Sequence, residues 1–126
     1  MTNPCEIIVT DILPIIRKEL CAEIVTTHGW KQADVARLFG VSGAAVSQYM
    51  KGVRGNTQLV EGHQSYDQLM NEISNSANKL VKEEGMVVSE LCRLCKISKE
   101  LGMLDHIFGR QMLVECMECP KDNILH

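Results

Sequence analysis

Four of the six cysteines fall into two pairs of identical spacing. Cys92-Arg93-Leu94-Cys95 and Cys116-Met117-Glu118-Cys119 are each C-x2-C, and twenty residues separate them. Two such pairs near one end of a short chain fit a four-thiolate metal site. Cys92 and Cys95 stand three apart on a predicted helix, so their sulfurs project from one face. The intervening residues allow a helix out and a return. A [4Fe-4S] cluster is the favoured occupant, because a cysteine followed directly by proline, as at Cys119-Pro120, recurs in iron-sulfur proteins. Leu91, Leu94 and Ile97 also give the first pair apolar, shielding neighbours. Zn2+ is the alternative, although zinc ribbons prefer turn-rich knuckles to the Lys96 and Pro120 that follow these pairs. A thiol-disulfide switch ranks third. Cys5 and Cys21 are isolated on apolar stretches and read as packing.

A second constellation runs from Gln32 to Gly52, QADVARLFGVSGAAVSQYMKG. Val35, Phe39, Val41, Val46 and Tyr49 stand where two short crossing helices bury side chains together. Ala36 sits at the crossing, where a larger side chain would force the helices apart. Gly40 occupies the tight turn, where positive φ is cheap without a side chain. Ser42 precedes the second helix and can cap its free N–H groups. This stretch resembles the helix-turn-helix of the Cro and phage-repressor superfamily. The likeness lies in the opening Gln, the buried Ala, the Gly-Val-Ser turn, the Val-Ser-Gln-Tyr-Met core and the trailing Lys51-Gly52-Val53-Arg54-Gly55.

That resemblance implies a second helix lying in the DNA major groove, with base edges met near its N-terminal end. The outward positions are then Ser42, Gly43, Ala44, Ser47, Gln48 and Lys51. Gln48 is the best base reader, since its amide can pair with adenine N6 and N7. Gly43 and Ala44 permit close approach or meet a thymine methyl group. Gln32 resembles the family's phosphate clamp, and Lys31, Lys51 and Arg54 are expected on phosphates, where they fix register. The whole chain also resembles a family of small predicted archaeal transcription regulators, on its opening Asn-Pro-Cys-Glu and its Val-Ser-Gln-Tyr core. That likeness implies a homodimer on a palindromic double-stranded operator.

The elements that must position these residues read as all-α. Aromatic residues make up only 4% of the chain, and no run alternates apolar and polar as a half-buried strand would. Asn3-Pro4 looks like a helix start, and Asp11 can cap a second one with Pro14 in its first turn. Ile12, Ile16, Leu20, Ile24 and Val25 form one apolar stripe, ended by Gly29. Short helices follow over 32–39 and 43–51, then a loop over 52–56. A long amphipathic helix is expected from about Ser65 to Glu84, closed by Gly85. Its stripe of Tyr66, Leu69, Met70, Ile73, Ala77, Leu80 and Val81 serves either the chain's own core or a dimer seam. Ser89 is expected to cap the next helix, which stops at Gly102, and a last helix spans about Leu104 to Val114. The expected division is a helix-turn-helix DNA-binding domain over 1–60 and a helical, cysteine-bearing dimerisation segment over 61–126.

Composition bounds the alternatives. The net charge is −3, but residues 31–56 carry Lys31, Arg37, Lys51 and Arg54 against Asp34 alone. A basic stretch can face phosphates while the acidic remainder faces water. No secretory signal or membrane-length apolar run is present, so a reducing cytoplasm is the expected setting, where cysteines stay thiols or ligands. His28, His63, His106 and His126 show no metal-ligand spacing. No nucleophile triad, phosphate loop or nucleotide fingerprint appears, so an enzyme is not expected. The strongest rival is a protein-interaction module using the same helices without touching DNA.

Overall fold

The computed structural model describes residues 8–107 and 109, which are helical and contain no strand. A π-helical turn over Ile8–Ile12 feeds directly into α1, Leu13–His28. Asp11 therefore lies inside a helical turn and does not cap a new start, because the chain is already helical before it. Pro14 sits in the first turn of α1, where its missing N–H removes no bond the helix needs. Gly29, at φ 70°, ends α1 as the sequence requires. Next come α2, Gln32–Phe39, and α3, Gly43–Met50. A one-turn helix, α4 (Gln58–Glu61), was not expected. It precedes α5, Tyr66–Val81, and α6, Val87–Glu100. Residues 103–107 form a further helical turn, one residue earlier than expected, and Gly109 is also helical; residue 108 and residues 110–114 of the expected last helix lie outside the described residues.

Helix α1 is the element around which the others gather. Ile15, Ile16, Leu20, Cys21 and Ile24 are almost entirely buried, and Val25 is half-buried. The helix packs most extensively on α5, then on α3, and also touches α2 and α6. The expected seam of α5 meets this surface: Leu69, Ile73, Ala77 and Leu80 are buried, joined by Ser76. Leu69, Ile73, Ala77 and Leu80 thus belong to the chain's own core, while Tyr66, Met70 and Val81 of the same stripe are half-buried against it. One hydrophobic cluster runs from Ile12 to Ile107, so the division expected at residue 60 does not separate two cores.

Two boundaries differ from expectation. Helix α5 ends at Val81, and the left-handed residue after it is Glu83 at φ 58°, not Gly85. Gly85 instead lies beside Glu90: a Cβ there would stand 3.4 Å from a carboxylate oxygen. Helix α6 begins at Val87, so Ser89 falls in its first turn and caps nothing.

A buried polar network ties α5 to α6. The Ser76 hydroxyl donates to Glu90 Oε1 at 2.7 Å. Arg93 donates to the same carboxylate at 3.3 Å, to the Ser76 oxygen, and to Glu72 Oε1 at 3.2 Å. Burial alone would raise the Glu90 carboxyl; the Ser76 hydroxyl bond, with Arg93 and Lys79 adding attraction, holds it below its ordinary value. A depressed carboxylate stabilises the fold above its unfolded pKa, and that contribution is lost as pH falls through the folded value. Glu90→Gln should therefore lower the unfolding free energy at pH 7 by about 1–3 kcal/mol. In urea titrations the gap from the native chain should close as pH drops below roughly 4. A gap that stays constant from pH 7 to 3 would show that the Glu90 charge is not what stabilises the α5–α6 contact.

Candidate nucleic-acid interface

Helices α2 and α3 are joined by Gly40-Val41-Ser42, and both pack against α1. Gly40 takes φ 66°, a left-handed conformation that a side chain would penalise. The inner faces are apolar: Val35 and Ala36 from α2, and Ala45, Val46 and Tyr49 from α3, are buried. Phe39 and Val41, expected inside, are half-buried against this core's edge, and Ala45 takes a buried position that the sequence did not flag.

Burying Ala45, Val46 and Tyr49 sets what α3 presents outward. Ser42, Gly43 and Ala44 are exposed at its N-terminal end, with Ser47 and Gln48 half-exposed one turn on. The Ser42 Oγ accepts the Ala45 N–H at 3.1 Å. Its hydroxyl proton remains able to donate outward. Lys51 caps the C-terminal end and is exposed, as are Arg54 in the next loop, Lys31 before α2 and Gln32 at its start. No acidic residue lies on α3. Arg37 pairs with Asp34 at 3.0 Å, an exposed contact worth little. Lys31, Lys51 and Arg54 make no ion pair among the described residues.

The loop carrying Arg54 is held at both ends. The N–H groups of Val53 and Arg54 donate to the Gln48 carbonyl at 2.9 and 3.4 Å, folding the loop back on α3. Beyond it, the Thr57 hydroxyl is buried against α1, donating to Glu19 Oε1 at 2.7 Å and accepting from Lys18 Nζ at 2.9 Å. Gly55, at φ 79°, lies so close to α1 that a Cβ would stand 2.6 Å from the Pro14 carbonyl oxygen and 2.8 Å from Lys18 Cβ. Sequence reasoning missed Gly55 and Thr57 as positioning residues. The Gly52–Gly55 spacing was the available signal, but its partners stand some forty positions earlier.

The cysteines occupy a different face. Cys92 and Cys95 lie on one side of α6, exposed and half-buried, and open on a cleft of about 420 Å³ against the start of α1. Leu13, Val88 and Leu91 form its apolar lining; Arg17, Lys96 and Lys99 supply its charge. Burial raises the Cys95 thiol, with Cys92 adding to the rise and Lys99 and Arg17 opposing it. Cys21 is buried in the core and pushed up to about 12 by desolvation, in keeping with a packing role. Cys116 and Cys119 lie outside the described residues. Among the described residues, no group of three or more potential ligands comes together, and no helix is long and apolar enough to cross a membrane.

No protein family, curated protein or solved structure matches the chain in comparison searches.

The close seat of Gly55 yields a stability test. Gly55→Ala adds a side chain to a left-handed position and drives it into backbone, which should destabilise by about 2 kcal/mol or more. Gly62→Ala is the matched control, because Gly62 has ordinary helical dihedrals and open space around it. Thermal melts should show a drop of several degrees for Gly55→Ala and almost none for Gly62→Ala. Equal melting temperatures would mean that the loop is not anchored through Gly55.

Proposed function

We propose that this chain is a sequence-specific DNA-binding transcription regulator acting through α2 and α3 as a helix-turn-helix. The observation that carries the reading is the outward face of α3. It combines small residues at the N-terminal end, an amide and a hydroxyl one turn on, and flanking cations that no carboxylate neutralises among the described residues. A protein surface meant only for water has no need to keep Gly43 and Ala44 beside Ser47 and Gln48. A surface that must approach base edges closely does.

In this reading Gln48 reads adenine, Ser47 contacts a base or phosphate, and Gly43 and Ala44 let the helix seat. Ser42 faces outward beside them, and Gln32, Lys31, Lys51 and Arg54 hold phosphates. One such helix covers only a few base pairs, so useful specificity calls for a homodimer on a palindromic site with half-sites about one helical turn apart. The dimer contact does not use the buried residues Leu69, Ile73, Ala77 and Leu80 of α5.

The second part of the proposal concerns Cys92, Cys95, Cys116 and Cys119 as ligands of one [4Fe-4S] cluster, with Zn2+ as the alternative occupant. Cys92 and Cys95 supply two of the four thiolates from the cleft described above. Four thiolates around a divalent or cluster core leave an anionic assembly, and cations with apolar shielding favour that charge. Anaerobically purified protein is expected to be brown. Serine at any of the four positions should bleach it, while Cys5→Ser and Cys21→Ser leave the colour. Colourless protein with one zinc per chain would replace the cluster with a structural metal. Protein with neither metal would remove the four-thiolate site.

The DNA contacts divide by role. Gln48→Ala should weaken cognate binding by about 1–3 kcal/mol and leave binding to random DNA nearly intact. Arg54→Ala should weaken both and reduce the salt dependence by roughly one unit of slope. Fluorescence anisotropy over a salt series measures both. Equal losses on cognate and random DNA for Gln48→Ala would refute its reading role. No binding to any DNA at low salt would favour a protein-interaction module.

A further inference from the structure

The cleft between α1 and α6 has two kinds of wall. Leu13 from α1 and Val88 and Leu91 from α6 are apolar, while Arg17 from α1 joins Lys96 and Lys99 from α6 as the charged lining. Val88 stays 68% exposed there, one of three large apolar side chains left so open among the described residues. Arg17 and Lys99 both act on the Cys95 thiol in the direction that favours its anion, so their fields converge on the same space. No carboxylate lines the cleft among the described residues, and none of the three cations is in an ion pair among them. Its volume of about 420 Å³ lies in the range of small-molecule sites.

We infer that this cleft binds a small organic anion with a carboxylate head and a short hydrocarbon body. A bare inorganic anion would use the cations and leave Leu13, Val88 and Leu91 against water. A neutral hydrocarbon would do the reverse. One molecule carrying both parts satisfies the whole lining, and an amine of the same shape is rejected by three like charges. Arg17 suits the head: its planar guanidinium offers paired N–H donors that match the two oxygens of a carboxylate, whereas the lysines add point charges. Arg17 is half-buried while Lys96 and Lys99 are exposed, so the strongest bond to the head forms away from bulk water, where a charge-assisted bond is worth more. The hydrocarbon body covers Val88 and Leu91, removing apolar surface from water. Neither the DNA-binding reading nor the four-thiolate reading is needed for this site. Cys92 and Cys95 share its opening, so the anion site is that of the metal-free, reduced chain.

Isothermal titration calorimetry on the full chain, reduced and with a chelator present, tests the site with octanoate as the probe. Saturable binding of one octanoate per chain is expected, with a dissociation constant on the order of 0.1 mM. Hexanoate, two methylenes shorter, should bind about tenfold more weakly. Acetate, inorganic phosphate, octanol and octylamine should show no saturable binding at the same concentrations. Arg17→Gln and Lys99→Gln should each weaken octanoate binding by about tenfold. Arg17→Lys should recover part of that loss, and Val88→Ser should weaken binding several-fold. Lys82→Gln, an exposed cation away from the cleft, should leave it unchanged. Circular dichroism and melting establish that Arg17→Gln folds; Lys99 and Val88 are exposed, so their variants keep the test decisive if it does not. Absence of saturable octanoate binding would overturn the proposal, as would equal binding of octanol or acetate, or native-like affinity in both Arg17→Gln and Lys99→Gln. A chain that doubles in mass by light scattering and refuses octanoate would assign the cleft to a second copy instead. Because the chelator keeps the thiols free, failure of the four-thiolate reading leaves each of these outcomes readable.

Discussion

Helix α1 must satisfy two halves of the molecule with one set of side chains. Ile15, Ile16, Leu20 and Ile24 are buried to within about a hundredth of their surface, on a helix that packs on α3, α5 and α6. Close-packed interiors do not deform continuously, so a helix shared in this way cannot shift against one neighbour without loading the other. The position of α3, the seat of the loop carrying Arg54, and the cleft holding Cys92 and Cys95 all take their reference from α1. Thr57 and Gly55 fasten the loop to it, and Arg17 brings it to the cysteines.

Electrostatics then separates the surface into working regions despite an overall charge of −3. The acidic side chains of α5 and α6 are partly spent internally: Glu72 and Glu90 pair with Arg93, and Glu90 also accepts from Ser76. Glu19 takes the Thr57 hydroxyl. Lys31, Lys51 and Arg54 around α3, and Arg17, Lys96 and Lys99 at the cysteine cleft, make no ion pair among the described residues. Net charge says little about partners when carboxylates are used in this way.

Much of this architecture was legible from residue types. The stripe of α1 has a helical period, Gly29 and Gly40 stand where positive φ is required, and Ser42 precedes a helix with free N–H groups; all three adopt those roles. What the sequence left hidden is long-range. Thr57 finds Glu19 across 38 positions, and Arg93 finds Glu72 across 21; neither residue type announces its partner. The stripe of α5 was ambiguous for a related reason. Its period is the same whether the covering helix belongs to the chain or to a copy, and only the fold shows α1 lying on it. The end of α5 eluded reading because Glu83 adopts the left-handed conformation two residues before the glycine that would ordinarily take it. At the cysteines, spacing placed Cys92 and Cys95 on one side of a helix, but the cations facing them come in part from Arg17, more than seventy positions away.

The claim on which the account turns is that the outward face of α3 reads a DNA sequence. Selection of bound duplexes from a randomised pool by the full chain tests it most directly, because no operator need be known in advance. The account predicts enrichment of a palindrome whose half-sites lie about one helical turn, roughly 34 Å, apart. It further predicts that the same selection with Gln48→Ala relaxes preference at one base position in each half-site. A pool that stays random after repeated rounds at low salt, or a consensus unchanged by Gln48→Ala, would contradict it.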